Sequence, residues 1–201
     1  DLWNEIINYP ERVSSYYNRL WNELNVDDDK QRKKEYFATV RERYNREHNP
    51  LDFMFIMRTT TNGMPRYNRD GEFNNSFHVT RNGIIPETLE KIIYEWSELL
   101  NKNKVKFIAC SYDEIKPKEN DFVYLDPPYL ITSCEYNKMW NEESEYDLIN
   151  VMDGLNRKGV RFAVSNVITY RDRRNDIFGE WASQYNIHPI NSHYKSYRDN
   201  S

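Results

Sequence analysis

Phe122-Val123-Tyr124-Leu125-Asp126-Pro127-Pro128-Tyr129 is the stretch that decides the fold. Its first four residues are a short apolar run of the kind found in fully buried strands. An acid then leaves the strand, two prolines stiffen the turn, and an aromatic ring follows. Working outward, 105–110, 160–165 and 187–190 are further short apolar runs and are expected to be strands. Helices are expected at 143–156, with Tyr146, Leu148, Ile149, Val151, Met152 and Leu155 inward, and at about 173–185. Strands alternating with helices predict an α/β layered domain with a largely parallel sheet. Such sheets bind ligands at the carboxyl ends of their strands, which points to residues 126–129.

The chemistry of that turn is specific. Consecutive prolines carry no N–H, and the carbonyls before them stay available as acceptors. Asp126 and one such carbonyl together match both protons of a planar amino group. Tyr129 matches the flat ring that would carry it, as aromatic side chains do with extruded bases. The plain alternative is a proline-stiffened loop with a satisfied carboxylate.

Upstream, residues 1–24 follow helical spacing, broken by Pro10. Asp27-Asp28-Asp29 offers a cap for a helix at about 30–47 whose inner face is Tyr36, Phe37, Val40 and Tyr44. Pro50 permits a new start, and 51–60 reads as a buried helix. Pro86 opens another at 86–101, with Leu89, Ile92, Ile93, Trp96, Leu99 and Leu100 inward. Between these helices, 61–82 is rich in turn residues around Asp70-Gly71, the signal of a hairpin.

The 201 residues carry 28 Lys and Arg against 32 Asp and Glu, a net charge of −4, which excludes a strongly basic nucleic-acid binder but not a local basic patch. Residues 58–81 are such a patch, with Arg58, Arg66, Arg69 and Arg81 against Asp70 and Glu72, net +2. Thirty aromatics supply core-forming bulk, so disorder of the whole chain is not expected. Cys110 and Cys134 have neither metal-ligand spacing nor a disulfide framework, which fits a reducing compartment. His48, His78, His188 and His193 are scattered, and no metal site is expected. No run approaches the roughly 20 apolar residues of a membrane span. Glu114-Ile115-Lys116 has the acid-x-lysine spacing of some nucleases, but it sits in a Lys/Pro-rich loop instead of a buried strand.

Residues 126–129 resemble the catalytic motif of amino-group DNA methyltransferases. Asn62-Gly63-Met64-Pro65-Arg66-Tyr67-Asn68, followed by Gly71-Glu72-Phe73-Asn74, resembles the target-recognition hairpin of Dam-type, D12-class adenine methyltransferases of bacteria and phages. Ser111-Tyr112-Asp113, Tyr136-Asn137 with Trp140, and Ser165-Asn166 match in the same order. The resemblance implies a Rossmann-like class I methyltransferase core, apparently incomplete at both ends, with an inserted helical and β-hairpin recognition region. Residues 1–50 would be helical, 51–83 the recognition helix and hairpin, and 84–201 the catalytic α/β core.

The same resemblance implies methyl transfer from S-adenosylmethionine to the exocyclic amine of a flipped adenine in double-stranded DNA, without metal, in a bacterial or phage-infected cytoplasm. Asp126, Pro127, Pro128 and Tyr129 would be catalytic, with Ser111, Tyr112 and Asp126 toward the donor. Asn62, Met64, Arg66, Asn68, Arg69, Arg81, Tyr136 and Asn137 would contact DNA, Arg66 reading a guanine edge and Arg81 a phosphate. The sequence departs from the family in three respects. No two of its six glycines are separated by one residue, so the donor-binding Phe-x-Gly-x-Gly turn is absent, and the abrupt ends read as cut. On that reading the 201 residues alone are expected to bind the donor weakly or not at all. Ser76 and His78 stand where relatives often carry Pro and Gly, which leaves a GATC target open. The alternative is a truncated, inactive module that binds DNA or a partner.

Overall fold

The computed structural model describes residues 1–132 and 139–190, and the chain divides into two compact units, Asp1–Ala109 and Cys110–Ser201. The first unit is helical. Helix α1 (Leu2–Asn8) is capped by Asp1, whose carboxylate accepts the Trp3 N–H at 2.9 Å. Pro10 starts α2 (Pro10–Leu24), since a proline at the first helical position loses no hydrogen bond. Asp29 caps α3 (Lys30–Glu47) through the N–H groups of Gln31 and Arg32. His48 ends that helix in the left-handed conformation, and Asn49 caps α4 (Pro50–Thr59). After the hairpin comes α5 (Pro86–Lys102), which packs on α1 and α2.

The core of this unit is Val13, Tyr17, Leu20, Leu24, Phe37, Val40, Phe55, Ile56, Leu89 and Ile93, with Phe73 and Phe77 entering from the hairpin. Asp52 is also fully buried there. It is held by Arg43 through two hydrogen bonds at 2.7 and 2.5 Å and by the Tyr16 hydroxyl at 2.8 Å. Such a pair is tolerated because every carboxylate oxygen is bonded. The inward face expected for α5 is narrower than its sequence suggests. Leu89, Ile93 and Leu100 are buried with Ser97, whereas Trp96 and Leu99 are exposed.

In the second unit, β1 (Phe122–Leu125) pairs in parallel with β2 (Arg161–Val164), in the register Leu125 to Val164, and α6 (Glu142–Arg157) connects them. A two-residue antiparallel ribbon, β3 (Thr169–Tyr170) with β4 (Arg173–Arg174), precedes α7 (Asp176–Ala182). Leu148, Ile149 and Met152 of α6 meet Phe178 and Ala182 of α7, and Leu125, Phe162 and Val164 pack against them.

Further expectations are corrected. The 105–110 and 187–190 runs are irregular, with Val105, Ile108, Ile187 and Ile190 exposed. Apolar composition does not make a strand without a neighbour to complete its ladder, and no described strand flanks either run. Strand β1 is not buried on both faces: Phe122 and Tyr124 are 60% and 64% exposed, while Leu125 packs on the α6–α7 cluster. The helix expected at 173–185 is the shorter α7, because Asn175 caps it and 173–174 pairs with β3.

Candidate functional site

The parallel register brings the exits of β1 and β2 side by side. The Ser165 N–H continues the ladder by donating to the Leu125 carbonyl at 3.0 Å, which sets Ser165 beside Asp126. The Ser165 hydroxyl donates to Asp126 Oδ1 at 2.7 Å, and the Tyr129 hydroxyl donates to the same oxygen at 3.0 Å. The two hydroxyls lie 3.4 Å apart. Oδ2 accepts no hydrogen bond among the described residues, and Asp126 is exposed. Its carboxylate is therefore oriented through one oxygen and presented through the other. The Ser165 hydroxyl draws the Tyr129 phenol's pKa down, but burial and the Asp126 carboxylate outweigh it and hold the phenol above its ordinary range. Tyr129 thus stays a donor to Asp126 at neutral pH.

Downstream, the Tyr129 carbonyl accepts from the Thr132 N–H at 3.1 Å and from its hydroxyl at 3.2 Å, which tightens the turn. Among the described residues, the Pro127 carbonyl accepts from no backbone N–H.

Ser111 and Tyr112 lie in the same unit. Ser111 begins a short 3-10 turn (Tyr112–Glu114), and its hydroxyl, bonded to Asp113, is the main influence lowering the pKa of that carboxyl. The Tyr112 ring lies 6.4 Å from the Trp140 ring at 50° and is 39% exposed. Burial, with Asp147 and Asp113 nearby, raises its pKa. No strand precedes this turn, contrary to expectation. Tyr136 and Asn137 lie outside the described residues.

The hairpin belongs to the first unit. Its two sides touch through isolated antiparallel bridges, Thr60 with Phe77 and Tyr67 with Phe73, so the continuous strands expected on either side of Asp70-Gly71 do not form. The turn itself is as expected: Gly71 has φ +79°, a conformation glycine adopts without strain. The Asn68 carbonyl oxygen of the side chain accepts from the Asp70 and Glu72 N–H groups at 3.0 and 2.8 Å, and its amide donates to Glu72 at 2.9 Å. Asn68 therefore braces the turn and does not project from it.

Pro65 interrupts the ribbon, and Asn75 repairs it. The Asn75 amide donates to the Met64 carbonyl at 2.8 Å, and its oxygen accepts the Arg66 N–H at 2.6 Å. Helix α3 grips the opposite edge. Asn45 makes both backbone bonds to Phe73, at 3.1 and 2.9 Å, and Arg41 donates to the Asn75 carbonyl at 3.1 Å. Met64 is 61% exposed, and Arg66, Arg69 and Arg81 are exposed. Asn62 lies in a 3-10 turn (Thr61–Gly63) at the base. Arg58, Met57, Gly63, Arg81 and Ile84 line an open groove of about 690 Å³ beside it. The sequence reading missed Asn75, Asn45 and Arg41, and it named Ser165 only as part of a match.

Among the described residues, no three His, Cys, Asp or Glu side chains are placed to hold a metal ion, and no helix is long and apolar enough to cross a membrane. Comparison with known proteins adds the following. The family described as D12 class N6 adenine-specific DNA methyltransferase matches residues 1–196. The chain is 34% identical over 174 residues to the type II methyltransferase M.FokI of Planomicrobium okeanokoites, covering 82% of this chain and 27% of that protein. It is 34% identical over 176 residues to the modification methylase StsI of Streptococcus sanguinis, with the same coverages. The DNA adenine methylase of Escherichia coli K12 is 27% identical over 169 residues, 78% of this chain and 56% of that protein. The chain thus spans about a quarter of the length of the first two relatives.

Proposed function

From a chain that belongs to the D12 class of N6 adenine-specific DNA methyltransferases, we propose that the protein transfers a methyl group from S-adenosylmethionine to the exocyclic amine of an adenine flipped out of duplex DNA. The observation that carries the reading is the Asp126 carboxylate, with both neighbouring hydroxyls on Oδ1 and Oδ2 open at the carboxyl end of a parallel strand. Oδ2 and the Pro127 carbonyl accept the two amine protons, so the nitrogen lone pair is directed away from the ring and toward the methyl group. The donor supplies an electrophilic methyl carbon. As the new N–C bond forms, the C–S bond breaks with its electron pair left on sulfur, and the extra proton departs from nitrogen by way of Asp126. Holding the two partners in line supplies most of the rate.

The remaining assignments follow from this reading. Residues 110–190 are part of a Rossmann-like core in which Tyr112, exposed beside Trp140, fits the flat face of the donor's adenine. Ser111 shapes that turn, Pro128 stiffens the catalytic loop, and Tyr129 stacks on the flipped base once its hydroxyl leaves Asp126. Residues 51–83 read the target, Arg66 offering two parallel N–H donors to a guanine edge and Arg69 and Arg81 binding phosphate. Helix α5, within the 84–201 segment that the resemblance makes catalytic, packs in the first unit and so belongs structurally with the reading head. The setting is the cytoplasm of a bacterium or of a phage-infected cell.

The test is radiolabelled methyl transfer into unmethylated DNA by the full-length protein and by Asp126→Ala. Transfer by the former and none above background by the latter is expected. Undiminished transfer by Asp126→Ala overturns the assignment. DNA binding by a full-length protein that transfers no methyl group identifies the module reading, in which the arginine-bearing hairpin alone is functional.

A further inference from the structure

Glu145, in the first turn of α6, is 0% exposed and forms no ion pair among the described residues. A leucine or methionine fills such a space without the cost of desolvating a charge, so packing does not account for it. Its hydrogen bonds do. Oε1 accepts from Asn175 Nδ2 at 2.7 Å and from Asn166 Nδ2 at 3.0 Å, and Oε2 accepts from Trp140 Nε1 at 2.6 Å. The three donors come from three segments around the site. Asn166 directly follows Ser165, whose hydroxyl sits on Asp126, and Trp140 packs beside Tyr112. Asn175 caps α7.

We infer that Glu145 is a positioning residue whose two oxygens divide the site between them. Oε1 holds the amine-binding side through Asn166 and Ser165, and Oε2 holds the donor side through Trp140 and Tyr112. The inference rests on the methyltransferase reading above.

The atoms make the two arms separable. A Glu145→Gln side chain has the same shape and one acceptor oxygen. That oxygen serves two donors at the Oε1 position and only one at the Oε2 position. Neither asparagine can turn over to relieve a clash, because Asn166 Oδ1 already accepts the Val167 N–H at 2.7 Å and Asn175 Oδ1 the Phe178 N–H at 3.0 Å. The glutamine oxygen therefore settles at Oε1, and its NH₂ meets the Trp140 N–H, donor against donor. Glu145→Gln breaks the donor arm and spares the amine arm.

The experiment measures kinetics and donor binding in the full-length protein and three variants. Donor binding is read by calorimetry as well as by activity. Glu145→Gln should raise the donor KM and Kd about tenfold or more while kcat at saturating donor stays within about threefold, the loss expected for one hydrogen bond to a charged group. Trp140→Phe strands Oε2 and should weaken the donor in the same way. Combining Trp140→Phe with Glu145→Gln should weaken the donor no further than the worse single variant, to within about threefold, because both changes break the same hydrogen bond, a coupling that independent sites do not show. A purely structural role predicts a lower melting temperature with donor and DNA affinities falling together and the two losses adding in the double variant, which overturns the inference. If Glu145→Gln does not fold, Trp140→Phe alone decides by the same split. Donor binding by the unmutated protein that the variants leave unchanged overturns the inference alone. No donor binding and no transfer by the unmutated protein overturn the methyltransferase reading and the inference together.

Discussion

On the proposed function, replacing Asn75 should separate sequence reading from DNA binding. Asn75 is 6% exposed, and its side chain is the partner that the Met64–Arg66 edge would otherwise take from an opposing strand. Asn75→Ala removes two hydrogen bonds, each worth about 0.5–1.5 kcal/mol net, or about 1–3 kcal/mol together. Met64 and Arg66 are exposed, so water replaces part of this and the cost falls toward the lower end. The folded core is spared, because Asn45 still holds Phe73 from α3. The loss is instead local order. Freeing the backbone of residues 64–66 costs about 1–2 kcal/mol per residue when it must be fixed again on a base edge. That matches or exceeds the roughly 1–3 kcal/mol of discrimination a bidentate arginine supplies. Asn75→Asp is the sharper variant: it keeps the acceptor for the Arg66 N–H and turns a carboxylate oxygen on the Met64 carbonyl. With the target first located by sequencing methylated DNA, both variants should lose about tenfold or more in kcat/KM on the target duplex while affinity for unrelated duplexes stays within about twofold. Discrimination unchanged in both variants, or non-specific affinity falling in step, refutes a reading head held by Asn75.

Two further outcomes test the first unit. Burial pushes the Tyr17 phenol up to about 12 from an ordinary value of 10, and its hydroxyl donates to the Ile84 carbonyl at 2.9 Å and accepts the Ile84 N–H at 2.8 Å. A raised phenol pKa means the fold favours the protonated form. Its contribution is complete below pH 10 and lost as the pH climbs to 12, by about 2–3 kcal/mol, since the unfolded chain ionises first. Urea melts from pH 9 to 12 should show this decline, and Tyr17→Phe should flatten it; an equal slope in the variant counts against the assignment. Gly83 has φ +83°, and a Cβ there would lie 2.6 Å from the Tyr17 hydroxyl oxygen and 3.1 Å from Trp21 Cδ1. Tyr17 is pinned by Ile84 and cannot step aside, so Gly83→Ala should cost about 2–4 kcal/mol in chemical denaturation. A loss below about 1 kcal/mol would mean that the loop slides freely.

Short-range chemistry is legible in this sequence, and long-range chemistry is legible only where the sequence leaves a gap to fill. Asp29, Asn49, Pro10 and Gly71 act within a few residues of themselves, and the structure puts caps, a helix start and a left-handed turn where they stand. The strand–acid–proline turn at 122–129 is of the same kind. The runs at 105–110 and 187–190 have strand composition, but a strand is a property of two segments, and no described neighbour pairs with either.

Glu145 is hidden for the converse reason. It sits in Glu142-Glu143-Ser144-Glu145, which reads as a solvated first turn favouring the helix dipole. Only the arrival of Trp140, Asn166 and Asn175 from other segments makes that position a buried anchor. Asn75 differs, because the sequence does carry a signal for it. Pro65 lies inside a predicted hairpin strand and has no N–H, so at least one ladder bond near it has to be replaced. An amide on the facing edge can both donate and accept, and Asn74-Asn75 lies on that edge. The proline that breaks the ribbon therefore points to the side chain that mends it, and to the segment, 64–66, whose position depends on the mend.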